Sequence, residues 1–80
     1  MKAIKYLRHA RNRMRWHKIT EDEVESAIRN PEFFTPTVEG RSNAWIKVSE
    51  KYLRGTYKED DDGFTVITAV KKKRPPERRK

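Results

Sequence analysis

The chain contains no cysteine, and this absence excludes disulfide bonds, thiol nucleophiles and thiolate sites for zinc or iron–sulfur clusters. Its three glycines lie far apart, so no glycine-rich loop is present to cradle a phosphate. No apolar run approaches the roughly 20 residues of a membrane-spanning helix, and no apolar segment follows the basic N-terminal residues, as it does in a signal peptide. We therefore expect a cytoplasmic protein that contacts no membrane and uses no metal or cofactor.

Hydrophobic residues are also scarce, at 34%, whereas charged residues make up 40% of the 80 residues. A chain of this length buries only about 60% of the surface that its unfolded form exposes. The core is therefore predicted to be thin, with one layer of helix on one small sheet. We predict a single α+β domain over residues 1–72 and a flexible basic tail over residues 73–80, which has nothing to bury.

Positive charge is concentrated at the two ends of the sequence. Residues 1–18 contain seven basic and no acidic residues, and residues 71–80 contain seven basic residues and one glutamate. The middle of the chain is acidic, although the formal net charge is +8. Segregated charge of one sign indicates a partner of the opposite sign, which here means nucleic acid, an acidic lipid surface or an acidic protein.

Two helices are predicted in the first 30 residues. Over residues 3–17 the helical spacing of Ala3, Leu7, Ala10 and Met14 forms one apolar stripe. A second helix follows Thr20, where the pattern Thr-x-x-Glu is typical of a capping box, and it ends before Pro31. The short link between the helices predicts a helical hairpin.

The rest of the chain has the alternation that is typical of strands. Residues 33–39 contain Pro36, which confines that strand to a sheet edge. Further strands are predicted at residues 44–48, 52–59 and 64–70, with a hairpin turn at Asp60-Asp61-Asp62-Gly63. We therefore predict an α+β fold in which an N-terminal helical hairpin packs on one face of a small antiparallel sheet of three to four strands.

The hairpin sequence resembles a group of small bacterial proteins. The similarity covers about residues 9–70 and rests on the following segments: His9-Ala10-Arg11-Asn12-Arg13-Met14, Ile19-Thr20, Glu23-Val24, Ala27-Ile28, Pro31 and Val66-Ile67-Thr68. This resemblance implies kinship with the BrnT-like and RelE-like toxins of toxin–antitoxin pairs, and hence their fold. Such toxins are compact ribonucleases that cut RNA without metal and are neutralised by an antitoxin.

The chain departs from these patterns in two places. It has His17-Lys18 where the group usually has Arg-Gly before the isoleucine. It also has no tyrosine after Tyr57 and no histidine after His17, so the C-terminal Tyr or His of RelE-type toxins has no counterpart.

The candidate catalytic residues are His9, Arg13 and Arg54. Cleavage of RNA by its own 2′-hydroxyl needs a group that exchanges protons near neutral pH and cations that stabilise charge on the phosphate. Histidine supplies the first and arginine the second. The alternative is that His9 packs at the edge of the core or donates to a backbone carbonyl.

Candidate nucleic-acid-binding residues combine cations with aromatic rings, as single-stranded RNA requires for its phosphates and bases. They lie on the first helix, on one sheet face and at the C-terminal end: Arg8, Arg11, Trp16, Trp45, Lys47, Tyr52, Lys58, Lys71, Lys72, Lys73 and Arg74. The alternatives are an ordinary solvated sheet face, an aromatic residue at the rim of the core and a solubilising extension.

The acidic clusters do not predict a metal site. Glu21, Asp22, Glu23 and Glu25 lie where a helix begins, and carboxylates there suit the helix dipole. The sequence around Asp60 lacks the later glutamate of a calcium loop.

Three hypotheses follow from these residues. The first is the toxin of a type II toxin–antitoxin pair, a metal-independent ribonuclease with RNA and an acidic antitoxin-like protein as partners. The alternative is a non-catalytic nucleic-acid-binding protein that uses the same surface. The third is an interaction protein whose basic ends bind an acidic chain. Each is compatible with a monomer or a small oligomer.

Overall fold

The structure begins with a strand where the sequence predicts a helix. The computed structural model describes residues 3–37 and 40–74. Its elements are β1 (Ala3–Tyr6), α1 (Arg8–His17), α2 (Glu21–Arg29), β2 (Phe33–Pro36), β3 (Ser42–Val48), β4 (Lys51–Glu59) and β5 (Gly63–Lys72). Of the predicted tail, Lys73 and Arg74 follow β5 and are exposed, whereas residues 75–80 lie outside the described part of the chain.

The predicted architecture is wrong, although the class is α+β. The sheet is mixed and has five strands in the order β1-β5-β4-β3-β2, with β1 parallel to β5 and the other pairs antiparallel. The two helices follow β1, and they are therefore not an N-terminal hairpin on an antiparallel meander. The error arises because Ala3 and Leu7 also fit a helical stripe. The four residues of β1 are too few to distinguish the two-residue period of a strand from the 3.6-residue period of a helix.

The two helices begin and end differently. Leu7 precedes α1 without a side-chain cap. At α2 the predicted capping box is confirmed: Thr20 Oγ1 accepts from the Glu23 amide at 3.1 Å, and Glu23 Oε1 accepts from the Thr20 amide at 3.0 Å. With ten and nine residues, neither described helix has the length and apolar character to cross a bilayer.

Both helices cover the same face of the sheet, with α1 on β5 and α2 on β3 and β4. Their buried residues pack with strand residues, and Val24, Leu53 and Val66 are the largest side chains that are fully buried. At Gly55 a Cβ atom would lie 3.8 Å from Val24 Cγ1, which shows how closely α2 approaches β4.

The strand ends agree with the turn residues of the sequence. Strand β2, which contains Pro36, is an edge strand as predicted. The predicted Asp-Gly turn is also confirmed, since Asp60 N donates to Gly63 O at 2.8 Å and Asp60 Oδ1 accepts from the amides of Asp62 and Gly63. Between β4 and β5 the register shifts once, next to Thr56 and Tyr57.

Candidate nucleic-acid interface

The sheet face opposite the helices, called the open face below, combines cations, aromatic rings and hydroxyls. Side chains alternate along each strand, so the neighbours of the buried Leu53 and Gly55 point to this face, together with their cross-strand partners. The open face comprises Phe33 and Thr35 of β2, Asn43, Trp45 and Lys47 of β3, Tyr52, Arg54, Thr56 and Lys58 of β4, Thr65, Thr68, Val70 and Lys72 of β5, and Lys5 of β1.

No acidic side chain is among these strand residues, whereas five are basic. One row across the sheet brings Lys58 and Lys5 to either side of Thr65, and another brings Lys47 and Lys72 to either side of Tyr52. Arg54 lies between these rows. The carboxylate of Glu32, at the rim, accepts from the Lys47 backbone amide at 3.3 Å. The face is therefore positive from end to end.

The centre of the open face is a stack of aromatic and guanidinium groups. Arg54 Cζ lies 5.9 Å from the centroid of the Trp45 ring, within the range of a cation–π contact. The rings of Phe33 and Tyr52 are 6.2 Å apart and half-buried. Trp45 itself is only 7% exposed. The structure thus places Trp45 beneath the surface, where it supports Arg54, and leaves Phe33 and Tyr52 as the rings that a base can reach.

Two buried hydrogen-bond donors lie in this centre without an acceptor. Trp45 Nε1 and Arg54 Nε have no hydrogen-bond partner among the described residues. A buried donor left unpaired costs about 1–3 kcal/mol.

Hydrogen-bonding groups also surround the centre. Thr56 Oγ1 donates to Asn43 Oδ1 at 2.7 Å, in a row that continues to Thr35 and Thr68 on the neighbouring strands. Near Lys58 a cavity of about 400 Å³ is lined by Leu7, Arg41, Lys58, Asp60, Thr65 and Ile67. The face therefore offers both charge and neutral polar groups to a ligand.

The structure does not bring the three candidate catalytic residues together. His9 and Arg13 are exposed on α1, on the helical side of the sheet, whereas Arg54 is on the open face. The His9 side chain is exposed and forms no hydrogen bond with another described residue, so the backbone-carbonyl contact considered as its alternative is not found.

The candidate residues on α1 face away from the open face and differ among themselves. Arg8 and Arg15 are exposed, and Trp16 is 82% exposed. Arg11 has a structural contact, because its Nη1 lies 2.7 Å from Glu21 Oε2 and its Cζ lies 5.1 Å from the Tyr6 ring centroid. Burial and the Glu21 carboxylate raise the pKa of Tyr6 in this group of side chains. Arg11 thus ties β1 and α1 to the start of α2.

A second basic site was not predicted from the sequence. At the end of α1 a cavity of about 460 Å³, called the basic pocket below, is lined by His17, Lys18, Val48, Ser49, Glu50, Lys51 and Lys71. Burial, followed by the charges of Arg13, Lys51, Lys71 and Lys72, lowers the pKa of His17. These residues come from three distant segments, and only the fold shows that they meet.

Two residues of the basic pocket have a left-handed backbone. Lys18 has φ 56° and ψ 49°, and Ser49 has φ 61°; no other non-glycine residue among those described has a positive φ. At Lys18 this conformation ends α1, with Lys18 N donating to Arg15 O and Ile19 N donating to Met14 O. Glycine is the residue usually found there, because it lacks the Cβ atom that causes the steric cost.

Replacing Lys18 with glycine is expected to stabilise the fold by about 1 kcal/mol, since it removes this steric cost. In a chain of this size that gain corresponds to a rise in Tm of about 4–8 °C, measured by circular dichroism. Lys18→Ala is the control, because it removes the charge but keeps the Cβ atom. An equal rise in Lys18→Ala would show that charge repulsion, and not backbone strain, is the cause.

Groups of three or more His, Asp or Glu residues in a metal-binding arrangement are absent from residues 3–37 and 40–74. Residues 6–72 match a protein family described as a domain of unknown function (DUF4258). Searches of curated proteins and of solved structures found no match to the chain.

Proposed function

This chain belongs to the DUF4258 family, since the match spans most of its length, and we propose that it is a cytoplasmic protein that binds single-stranded RNA on its open face. The observation that carries the proposal is the set of five cations, Lys5, Lys47, Arg54, Lys58 and Lys72, on a sheet face without an acidic strand residue. Such a surface attracts phosphates regardless of sequence.

The arrangement favours a single strand over a duplex. Bases that are free of pairing partners stack on exposed rings, and Phe33 and Tyr52 are available for this beside Lys47 and Lys72. The rows that contain Tyr52 and Lys58 are six residues apart on β4, or about 20 Å along the strand. A flexible single strand of RNA can bend so that its phosphates contact cations at that spacing, whereas a rigid duplex can contact only some of these cations.

A binding titration tests this proposal. Fluorescence anisotropy of a labelled single-stranded oligoribonucleotide, in EDTA, should give an affinity that falls with salt. Up to five phosphate contacts predict a slope of log K against log salt of about −3.5, or a loss of roughly 100-fold between 50 and 200 mM. An affinity that does not change with salt, or a preference for the matching duplex, would contradict RNA binding on this face.

A metal-independent ribonuclease of the toxin type is the second candidate function. The observation in its favour is His17, whose pKa is lowered by burial and by nearby cations including Arg13, and which lines a pocket together with Lys18, Lys51 and Lys71. An imidazole that is unprotonated at neutral pH can accept the proton of an attacking 2′-hydroxyl, while the cations stabilise charge on the phosphate. An acidic antitoxin-like protein would be its partner.

Incubation with RNA in EDTA tests the second candidate. Cleavage by the wild type that is lost in His17→Ala and kept in His9→Ala would support it. Loss in His9→Ala alone would assign the chemistry to His9 and Arg13, as first predicted from the sequence. Intact RNA after incubation with the wild type would exclude the activity and leave the binding function.

A further inference from the structure

The basic pocket is a separate site on the helix-covered side of the sheet, where Lys71 is the cross-strand partner of the buried Leu53. It lies where the end of α1, the turn between β3 and β4 and the end of β5 meet. Its volume of about 460 Å³ is in the range of pockets that hold small organic ligands.

Charge in the pocket is unbalanced. Lys18, Lys51 and Lys71 line it with a single carboxylate, that of Glu50, and none of the three lysines forms a salt bridge with a described residue. Arg13 and Lys72 add positive charge around His17. Lys71 Nζ donates to the backbone carbonyl of Lys18 at 3.5 Å, which places the Lys71 ammonium at the end of α1. Like charges that line one pocket repel, and a bound anion would offset that repulsion.

The backbone conformation of the pocket also fits a binding site, although at Lys18 it serves to end α1 as well. Both left-handed non-glycine residues, Lys18 and Ser49, line it. Strained residues of this kind are concentrated at ligand-binding and catalytic sites. Here each strained position carries a side chain that suits an anion, an ammonium at Lys18 and a hydroxyl at Ser49, where glycine would carry none.

We propose that the basic pocket binds a phosphomonoester of nucleotide size. The ammonium groups of lysines from three segments and the imidazole of His17 surround the site, and a dianion with several acceptor oxygens can contact more of them than a carboxylate can. The end of α1 carries negative partial charge, but the carbonyls of Met14 and Arg15 already accept backbone hydrogen bonds, which reduces their repulsion of an anion. The ligand is either a free nucleotide or the phosphorylated end of an RNA. The proposal does not rest on RNA binding by the open face.

A dianion in the pocket has a measurable consequence for His17. The neighbours of this imidazole are Arg13 on its own helix, Lys51 and Glu50 on the turn side, and Lys71 and Lys72 on β5. Burial and these cations disfavour the imidazolium, and a bound phosphate favours it. Binding therefore raises the pKa of His17 and takes up a proton in the pH range between the free and the bound values.

The test is a pH titration of the two histidines by NMR, on the full chain with and without inorganic phosphate and then uridine 5′-monophosphate. At saturation we expect the pKa of His17 to rise by about half a unit to one unit. His9, which is on the same helix but outside the pocket, is the internal control and should move far less. Equal movement of both histidines, or none at His17, would overturn the proposal.

Variants and short RNAs complete the test. Lys51→Gln should weaken phosphate binding several-fold, whereas Arg8→Gln, with the same loss of charge at the exposed start of α1, should not; equal weakening would overturn the site. A 5′-phosphorylated trinucleotide that raises the pKa of His17 more than the mononucleotide does would identify an RNA end as the ligand. If the 5′-hydroxyl trinucleotide acts equally well, the pocket binds a phosphodiester and the proposal is wrong.

Discussion

Replacing Gly63 with alanine is expected to detach β1 from the sheet. Gly63 is the partner of Ala3 in the parallel pair and has φ 154°. A Cβ atom at this position would overlap the Ala3 carbonyl oxygen and lie 3.1 Å from the Ala3 nitrogen and carbonyl carbon. All three are backbone atoms, so no change of side-chain rotamer relieves the overlap. The two strands must move apart.

The expected cost is about 3 kcal/mol, because Ile4 and Tyr6 lose their packing against the core along with the strand pairing. A domain of this length has a free energy of unfolding of about 4–12 kcal/mol, so the variant loses a large part of its stability. Urea denaturation followed by circular dichroism measures the loss. Hydrogen exchange at residues 3–6 should show that β1 loses its protection first.

Gly40→Ala is the matched control for Gly63→Ala. Gly40 has φ 76°, but a Cβ atom there would have no neighbour within 4 Å among residues 3–37 and 40–74. Alanine at this position therefore carries only the backbone cost, about 1 kcal/mol. If both variants lose the same stability, backbone conformation explains both. In that case the close approach of β1 to β5 would contribute little to the free energy of unfolding.

Local sequence signals predicted the parts of the fold that depend on near neighbours. The capping box at Thr20 and the Asp-Gly turn at Gly63 are formed by residues within four positions of one another. The alternation around Leu53 correctly divided β4 into two faces, and Pro36 correctly marked an edge strand. Each of these signals depends on the backbone conformation of a short segment, which the residues of that segment determine without distant contacts.

The parts that were missed depend on residues far apart in the chain. Strand β1 is short, and its partner β5 lies at the other end of the sequence. The basic pocket needs α1, the turn after β3 and the end of β5 together, so no local spacing indicates it. The burial of Trp45 was missed for the same reason, because alternation along β3 indicates the sheet face of Trp45 but not the neighbouring residues that cover it.

Removing two cations from the open face is expected to weaken RNA binding more than removing two from α1. In Lys47→Gln with Lys58→Gln, both side chains are exposed, so the fold should be unaffected. Each lost contact with a single strand lowers the salt slope by about 0.7, and two lower it by about 1.4. At 0.1 M salt the same counterion release corresponds to an affinity loss of roughly 25-fold.

The control is Arg8→Gln with Arg15→Gln, which removes the same two charges from the net charge of +8 but leaves the open face intact. Long-range attraction weakens in both variants, so affinity alone falls somewhat in each. The salt slope separates them, because it counts the phosphates in contact with the protein. An unchanged slope in the open-face variant, or an equal decrease in both, would show that RNA binds by net charge or through α1. The open face would then not be the binding surface.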